Sequence, residues 1–114
     1  MLSINMTGAR DHLVIALNGE VDASNSVELD EVIQEALSGS TQKILVDGRN
    51  LEYISSAGLG VFMSYLEDFR EKEVAFVIFG LNDKVMNVFH ILGLDQLIRI
   101  KNTQEEAEES LYDA

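Results

Sequence analysis

The sequence predicts a single α/β domain built on a mixed sheet of four to five strands flanked by about four helices. Three observations predict it. Stretches rich in Val, Ile and Leu alternate with stretches whose apolar residues recur at helical spacing. The first two strand-like stretches are joined by a short turn that suits an antiparallel hairpin, which makes the sheet mixed. The 114 residues also run without a repeat, a low-complexity tract or a linker, and that length supports one hydrophobic core and not two. The whole span 1–114 is therefore read as one domain.

Taken in order, Leu2 to Thr7 and His12 to Asn18 read as the hairpin strands, with Gly8-Ala9-Arg10-Asp11 as their turn. The run Asp22-Ala23-Ser24-Asn25-Ser26 is rich in capping residues. Leu29, Val32, Ile33, Ala36 and Leu37 follow it at helical spacing, and Gly39 closes the pattern, so an amphipathic helix is expected there. Lys43 to Asp47 is short and continuously apolar between polar ends, as in a strand covered on both faces. Beyond Ser55 and Ser56, Leu59, Phe62, Leu66 and Phe69 make one apolar stripe, with Gly60, Ser64, Glu67 and Glu71 lying away from it. A second helix should thus begin at the serines and run past Phe69. Val74 to Phe79 reads as a further strand closing on Gly80. Val85, Val88, Phe89 and Leu92 give a third helix ended by Gly93, and Leu97 to Ile100 a short edge strand. Thr103 and Glu106 have capping-box spacing for a last acidic helix, seamed by Ala107 and Leu111.

Composition removes several classes of function. An apolar share of 46% with 25% charged residues is that of a globular chain, which excludes general disorder despite the acidity. The absence of Cys rules out disulfides, thiolate metal sites and a cysteine nucleophile, and it fits a reducing compartment. The start, Met1 to Met6, lacks a basic and then apolar leader, and no apolar run approaches the about 20 residues of a bilayer span. A cytoplasmic protein without membrane insertion is expected. Twenty acidic against eight basic residues leave a net charge of −12, which repels phosphate backbones and anionic lipid, so nucleic acid is not an expected partner. The acidic run from Glu105 to Asp113 reads as a solvated helix face.

Enzyme signatures are missing. Gly58-Leu59-Gly60 could open a dinucleotide loop, but Met63 stands where a third glycine belongs and no P-loop lysine follows. Neither Ser55 nor Ser56 sits in a G-x-S-x-G elbow, and neither His12 nor His90 shares a metal-ligand spacing with a carboxylate. No catalytic residue, metal or cofactor is expected. The paired serines have two readings. A Ser hydroxyl caps a helix by accepting a bond from an unpaired N–H, worth about 1 kcal/mol. Two adjacent serines also let one cap while the other points outward from the helix N-terminus, where a partner can reach it.

The segment Leu51-Glu52-Tyr53-Ile54-Ser55-Ser56-Ala57-Gly58-Leu59-Gly60-Val61 resembles the signature of anti-sigma factor antagonists, the STAS domain family. Leu17-Asn18-Gly19-Glu20-Val21-Asp22 is similar to that family's strand-to-helix element, and Phe89-His90-Ile91-Leu92-Gly93-Leu94 to its third-helix exit. The resemblance covers almost the whole chain. It implies a mixed sheet flanked by helices and a protein that binds an anti-sigma factor or related switch-protein serine kinase. Phosphorylation of a serine at the start of the second helix would turn it off, and a phosphoserine phosphatase would restore it. Aligning on Gly58-Leu59-Gly60 places the phosphoacceptor at Ser56 ahead of Ser55; Ser55 stands where the family usually has Asp, and Ala57 where Ser or Thr is frequent. The implied docking face comprises Asp22, Ser55, Ser56 and the solvent side of the second helix at Gly60 and Ser64, with Gly60 allowing close approach. Asp22 also reads as an N-cap of the first helix. The alternative role implied is an unphosphorylated adaptor subunit of a larger complex such as a lipid transporter, with the serine merely capping a helix.

Overall fold

Alternation of side chains along the first twenty residues folds them back on themselves in the computed structural model, which describes residues 1–9 and 11–113. Strand β1 (Leu2–Ala9) pairs antiparallel with β2 (His12–Val21), from Leu2 opposite Gly19 to Ala9 opposite His12. Arg10 of the expected turn, and Ala114 of the expected domain span, lie outside the described residues. From β2 onward every neighbouring pair is parallel. The order is α1 (Ser26–Ser38), β3 (Lys43–Ile54), α2 (Ser56–Ser64), α3 (Leu66–Glu71), β4 (Ala75–Phe79), α4 (Asp83–Ile91), a 3-10 turn (Leu94–Gln96), β5 (Arg99–Lys101) and α5 (Gln104–Tyr112). The sheet is mixed and five-stranded, as expected, and its strands lie in chain order.

The period of two in the central strands builds two unequal cores. Ile44 and Val46 of β3 and Phe76 and Ile78 of β4 face Leu29, Ile33, Leu59, Phe62, Phe69, Val85 and Phe89 of the first four helices. Parallel strands in chain order, joined by right-handed crossovers, put α1, α2 with α3, and α4 on one face. The intervening residues Leu45, Val77 and Phe79 point the other way, where Ala107 and Leu111 of α5 cover them. That helix starts on the expected capping box: the Thr103 hydroxyl accepts from the Glu106 amide, and the Glu106 carboxylate accepts from the Thr103 amide. Its end is tied to the hairpin, because the Tyr112 hydroxyl lies 2.7 Å from His12 Nδ1 and donates to Asp11.

The sequence reading and the fold part company at several places, beginning with the hairpin, where β1 runs past Thr7 to Ala9 and β2 past Asn18 to Val21. β3 does not stop at Asp47 but runs to Ile54, its polar stretch held at the surface by an Arg49–Asp47 ion pair of 2.8 Å and an Asn50 to Asn18 side-chain bond of 3.0 Å. The second helix is not continuous; it breaks at Tyr65. There the Ser64 hydroxyl donates to the Val61 carbonyl at 2.6 Å, the acceptor a regular helix would offer the Tyr65 amide, and that amide turns to Phe62 O at 3.1 Å. Gly93 ends α4 in the left-handed region at φ 75°, whereas Gly39 leaves α1 extended at φ −87°. The edge strand begins at Arg99 rather than Leu97, since Leu97 follows the 3-10 turn and Ile98 drops into the core.

Candidate functional site

β2 and β3 end side by side, Val21 opposite Ile54, and the chain that leaves each of them builds the site. The Ser55 amide donates to the Val21 carbonyl at 2.9 Å, fastening the start of α2 to the end of β2. Ser55 is extended (φ −88°, ψ 171°), and its hydroxyl accepts from the Gly58 amide at 3.3 Å. It is the N-cap. Ser56, the first helical residue, is exposed, and its hydroxyl has no hydrogen-bond partner among the described residues. The two serines thus divide the two roles that the sequence left open: one is spent on the helix and the other faces solvent.

Gly58 explains how α2 can start so close to the sheet. A Cβ there would lie 2.7 Å from Val21 Cγ1 and 2.8 Å from Ile54 Cγ1, both buried. Gly58 is thus needed inside the fold, a packing role separate from the partner approach expected at Gly60. Gly60 is exposed with nothing within 4 Å of its would-be Cβ, leaving an open notch one turn beyond Ser56. Ser64 is exposed at the far end of α2, about 12 Å along the axis from Ser56, with its hydroxyl engaged by Val61 O. Ser56, Gly60 and Ser64 are spaced by four and share one face. Met63, 48% exposed, borders that face and was missed in the sequence, where a Met on an apolar helix reads as core.

Asp22 follows directly on Val21 and so lies beside the serines in the topology. It does not cap α1: Asn25 occupies that position and its side chain makes no capping bond. Asn25 instead accepts from the Asp22 amide at 2.9 Å and donates to Glu20 O at 3.0 Å, locking the strand-to-helix corner. The Asp22 carboxylate accepts from both the Ser24 hydroxyl (2.6 Å) and the Ser24 amide (2.9 Å), and these bonds, the hydroxyl's foremost, hold its pKa below the usual carboxylate value.

The electrostatic setting of Ser56 differs from that of the other helix starts. The first turns of α1, α3, α4 and α5 carry Glu28, Glu67 with Asp68, Asp83, and Glu105 with Glu106. The first turn of α2 carries no acidic residue, so the partial positive charge of its N-terminus is not offset from within the helix itself. Negative charge placed on Ser56 would meet free helix amides. Of the two histidines, His12 is buried against Tyr112 and His90 bonds Asp95 at 2.7 Å. Among the described residues no three His, Cys, Asp or Glu side chains gather as metal ligands, and no helix is long and apolar enough to cross a membrane.

Known proteins share both the sequence and the fold. The family model described as the STAS domain matches residues 3–107. An anti-sigma-B factor antagonist from Listeria monocytogenes is 32% identical over 96 residues, covering 84% of each chain. The crystal structure of an anti-sigma factor antagonist from Mycobacterium paratuberculosis superposes with a TM-score of 0.91 at 20% identity, over 99% of this chain and 96% of that one. The Bacillus cell fate determinant SpoIIAA, solved in its phosphorylated form, matches in fold with a TM-score of 0.71 at 21% identity, over 94% of this chain and 97% of that one.

Proposed function

The chain belongs to the STAS domain family, and we propose that it acts as an anti-sigma factor antagonist whose binding to an anti-sigma factor of the switch-protein serine kinase type is ended by phosphorylation of Ser56. The single observation that carries this reading is the division of labour between the serines. Ser55 fills the cap, which leaves Ser56 exposed and unbonded at the start of a helix whose first turn holds no acidic residue. A relative at 32% identity bears the name anti-sigma-B factor antagonist, which supports the partner class.

Magnitudes decide which way the switch works. A phosphoserine adds about −1.5 to −2 charges. The helix N-terminus stabilises that charge by roughly 0.3–1 kcal/mol, so modification leaves the domain folded. Against that stands a dianion in the middle of a docking face, where a loss of about 3 kcal/mol lowers affinity by ~100-fold. The second effect is larger, and phosphorylation releases the partner. The docking face comprises Asp22, Ser55, Ser56, Gly60 and Ser64, to which Met63 adds an apolar contact. A phosphoserine phosphatase is the reaction class that resets the switch. The adaptor reading asks for a serine that only caps a helix; Ser55 meets that description and Ser56 does not.

The test uses the full chain, a cognate anti-sigma kinase and ATP. Intact-mass analysis should show one phosphate on the parent and on Ser55→Ala, and none on Ser56→Ala. Ser56→Asp should bind the kinase at least tenfold more weakly, with Ser56→Ala binding like the parent. Equal binding by both Ser56 variants sinks the switch.

A further inference from the structure

A second surface, on the opposite side of α1 from the serines' helix, is built from the free edge of β1. The order of the sheet leaves β1 without an outer neighbour among the described residues. In an antiparallel pair, backbone groups of alternate residues point toward the partner strand and those between point away. The Glu20 amide bonds the Met1 carbonyl, and the register runs unbroken from Leu2–Gly19 to Ala9–His12, so the outward-pointing groups are those of Leu2, Ile4, Met6 and Gly8. The side chains of Leu2, Ile4 and Met6 are turned down against the main core. The strand is eight residues long and holds no charged side chain and no proline. Folded proteins ordinarily guard such an edge with Lys, Pro, a bulge or brevity. The opposite edge of this sheet is guarded: β5 has three residues, two of them Arg99 and Lys101.

What lies beside the open edge fixes the chemistry of an occupant. Between β1 and α1 runs a groove of about 270 Å³, lined by Ile4 and Val32 and rimmed by Glu28, Glu31 and Glu35. A strand added to β1 would place alternate side chains over this groove. A second copy is a poor occupant, because two-fold pairing of β1 edges would bring two such glutamate rows, on chains of −12 each, toward one seam.

We propose that β1 is a docking edge for an extended, basic segment of a partner protein, added as a sixth strand, its apolar side chains set on Ile4 and Val32 and its Lys or Arg set against Glu28, Glu31 and Glu35. Backbone bonds to Leu2, Ile4, Met6 and Gly8 supply strand addition, and the glutamates supply the preference for positive charge. This surface does not depend on the Ser56 reading, and Ser56→Asp leaves it intact.

The test titrates the isotope-labelled full chain with an alternating Lys-Val heptapeptide, a Glu-Val heptapeptide, and the Lys-Val peptide N-methylated at alternate residues. Shifts should appear at the amides of Leu2, Ile4, Met6 and Gly8 with the first peptide alone. Replacing Glu28, Glu31 and Glu35 together by Gln should weaken that binding about tenfold, with the far-ultraviolet circular dichroism unchanged. Equal binding of the N-methylated peptide, or shifts that avoid β1, overturns the proposal. So does sedimentation showing that the chain pairs with itself through β1.

Discussion

Gly58 and Gly60 stand two residues apart in one helix and answer to opposite demands. At Gly58 the helix touches the sheet so closely that an added methyl meets Val21 and Ile54 below 3 Å. Both of those side chains are locked in the core, so Gly58→Ala should cost about 1–3 kcal/mol by overpacking and spread α2 from the strand ends. At Gly60 nothing stands within 4 Å, and alanine is the better helix former. Gly60→Ala should therefore stabilise the free protein by about 0.5–1 kcal/mol. Urea unfolding with an unchanged denaturant slope separates these two signs. Partner binding adds a second reading at Gly60: if the notch receives the partner's backbone, the stabler variant binds more weakly. The sequence marks both glycines as special but not which is which, because the helical phase of Gly58 against β2 is set by the Val21–Ser55 bond, a contact between residues 34 positions apart.

At the scale of elements, the joint between α2 and α3 is held by Tyr65, whose hydroxyl donates to the Asp30 carboxylate of α1 at 2.6 Å. Burial, and then the bond to and charge of Asp30, push the Tyr65 pKa up to about 12. The folded state thus holds this proton more tightly than the unfolded chain, where a tyrosine titrates near 10. The stability it contributes is whole below pH 10 and is lost as the pH climbs toward 12. Tyr65→Phe should lower stability at neutral pH by about 1–2 kcal/mol and flatten the alkaline fall; urea midpoints between pH 8 and about 12 check both. An equally steep fall in the Phe variant would mean that another group carries it. This joint was hidden from the sequence. Leu59, Phe62, Leu66 and Phe69 keep one stripe across the break, so the pattern reads as a single helix, while the break comes from the Ser64 hydroxyl on Val61 O. β3 was foreshortened for a related reason. Gly48, Arg49 and Asn50 look like a turn, and their place in a strand depends on pairing with β2 across register shifts near Asn18 and Gly19. Elements whose apolar period decides their placement, such as α1, α4 and the β1–β2 hairpin, were legible at once.

Over the whole molecule two electrostatic effects oppose each other as the pH falls. The chain carries 20 acidic and 8 basic residues, and the resulting self-repulsion destabilises the compact state at neutral pH. Protonating carboxylates relieves it. Asp22 and Asp47 act in the other direction. Their folded pKa values are depressed, Asp22 by its bonds from Ser24, and Asp47 because Arg49 outweighs the upward push of burial. A depressed group stabilises the fold above its unfolded value, near 3.8, and that contribution is lost as the pH drops below it. Stability should accordingly fall as the pH drops below the 3.8 of a free aspartate, while the self-repulsion at neutral pH is read from its response to salt. Salt distinguishes the two limbs. Raising sodium chloride from about 0.05 to 1 M shortens the Debye length from over 10 Å to about 3 Å, which should lift the neutral limb most. The acid limb should survive in salt, since at Asp22 it rests on short hydrogen bonds that ions do not screen, and Asp22→Asn should shallow it. Urea midpoints measured from pH 3 to 7 at both salt concentrations decide the matter; a neutral midpoint that drops on adding salt would rule out repulsion as the dominant effect.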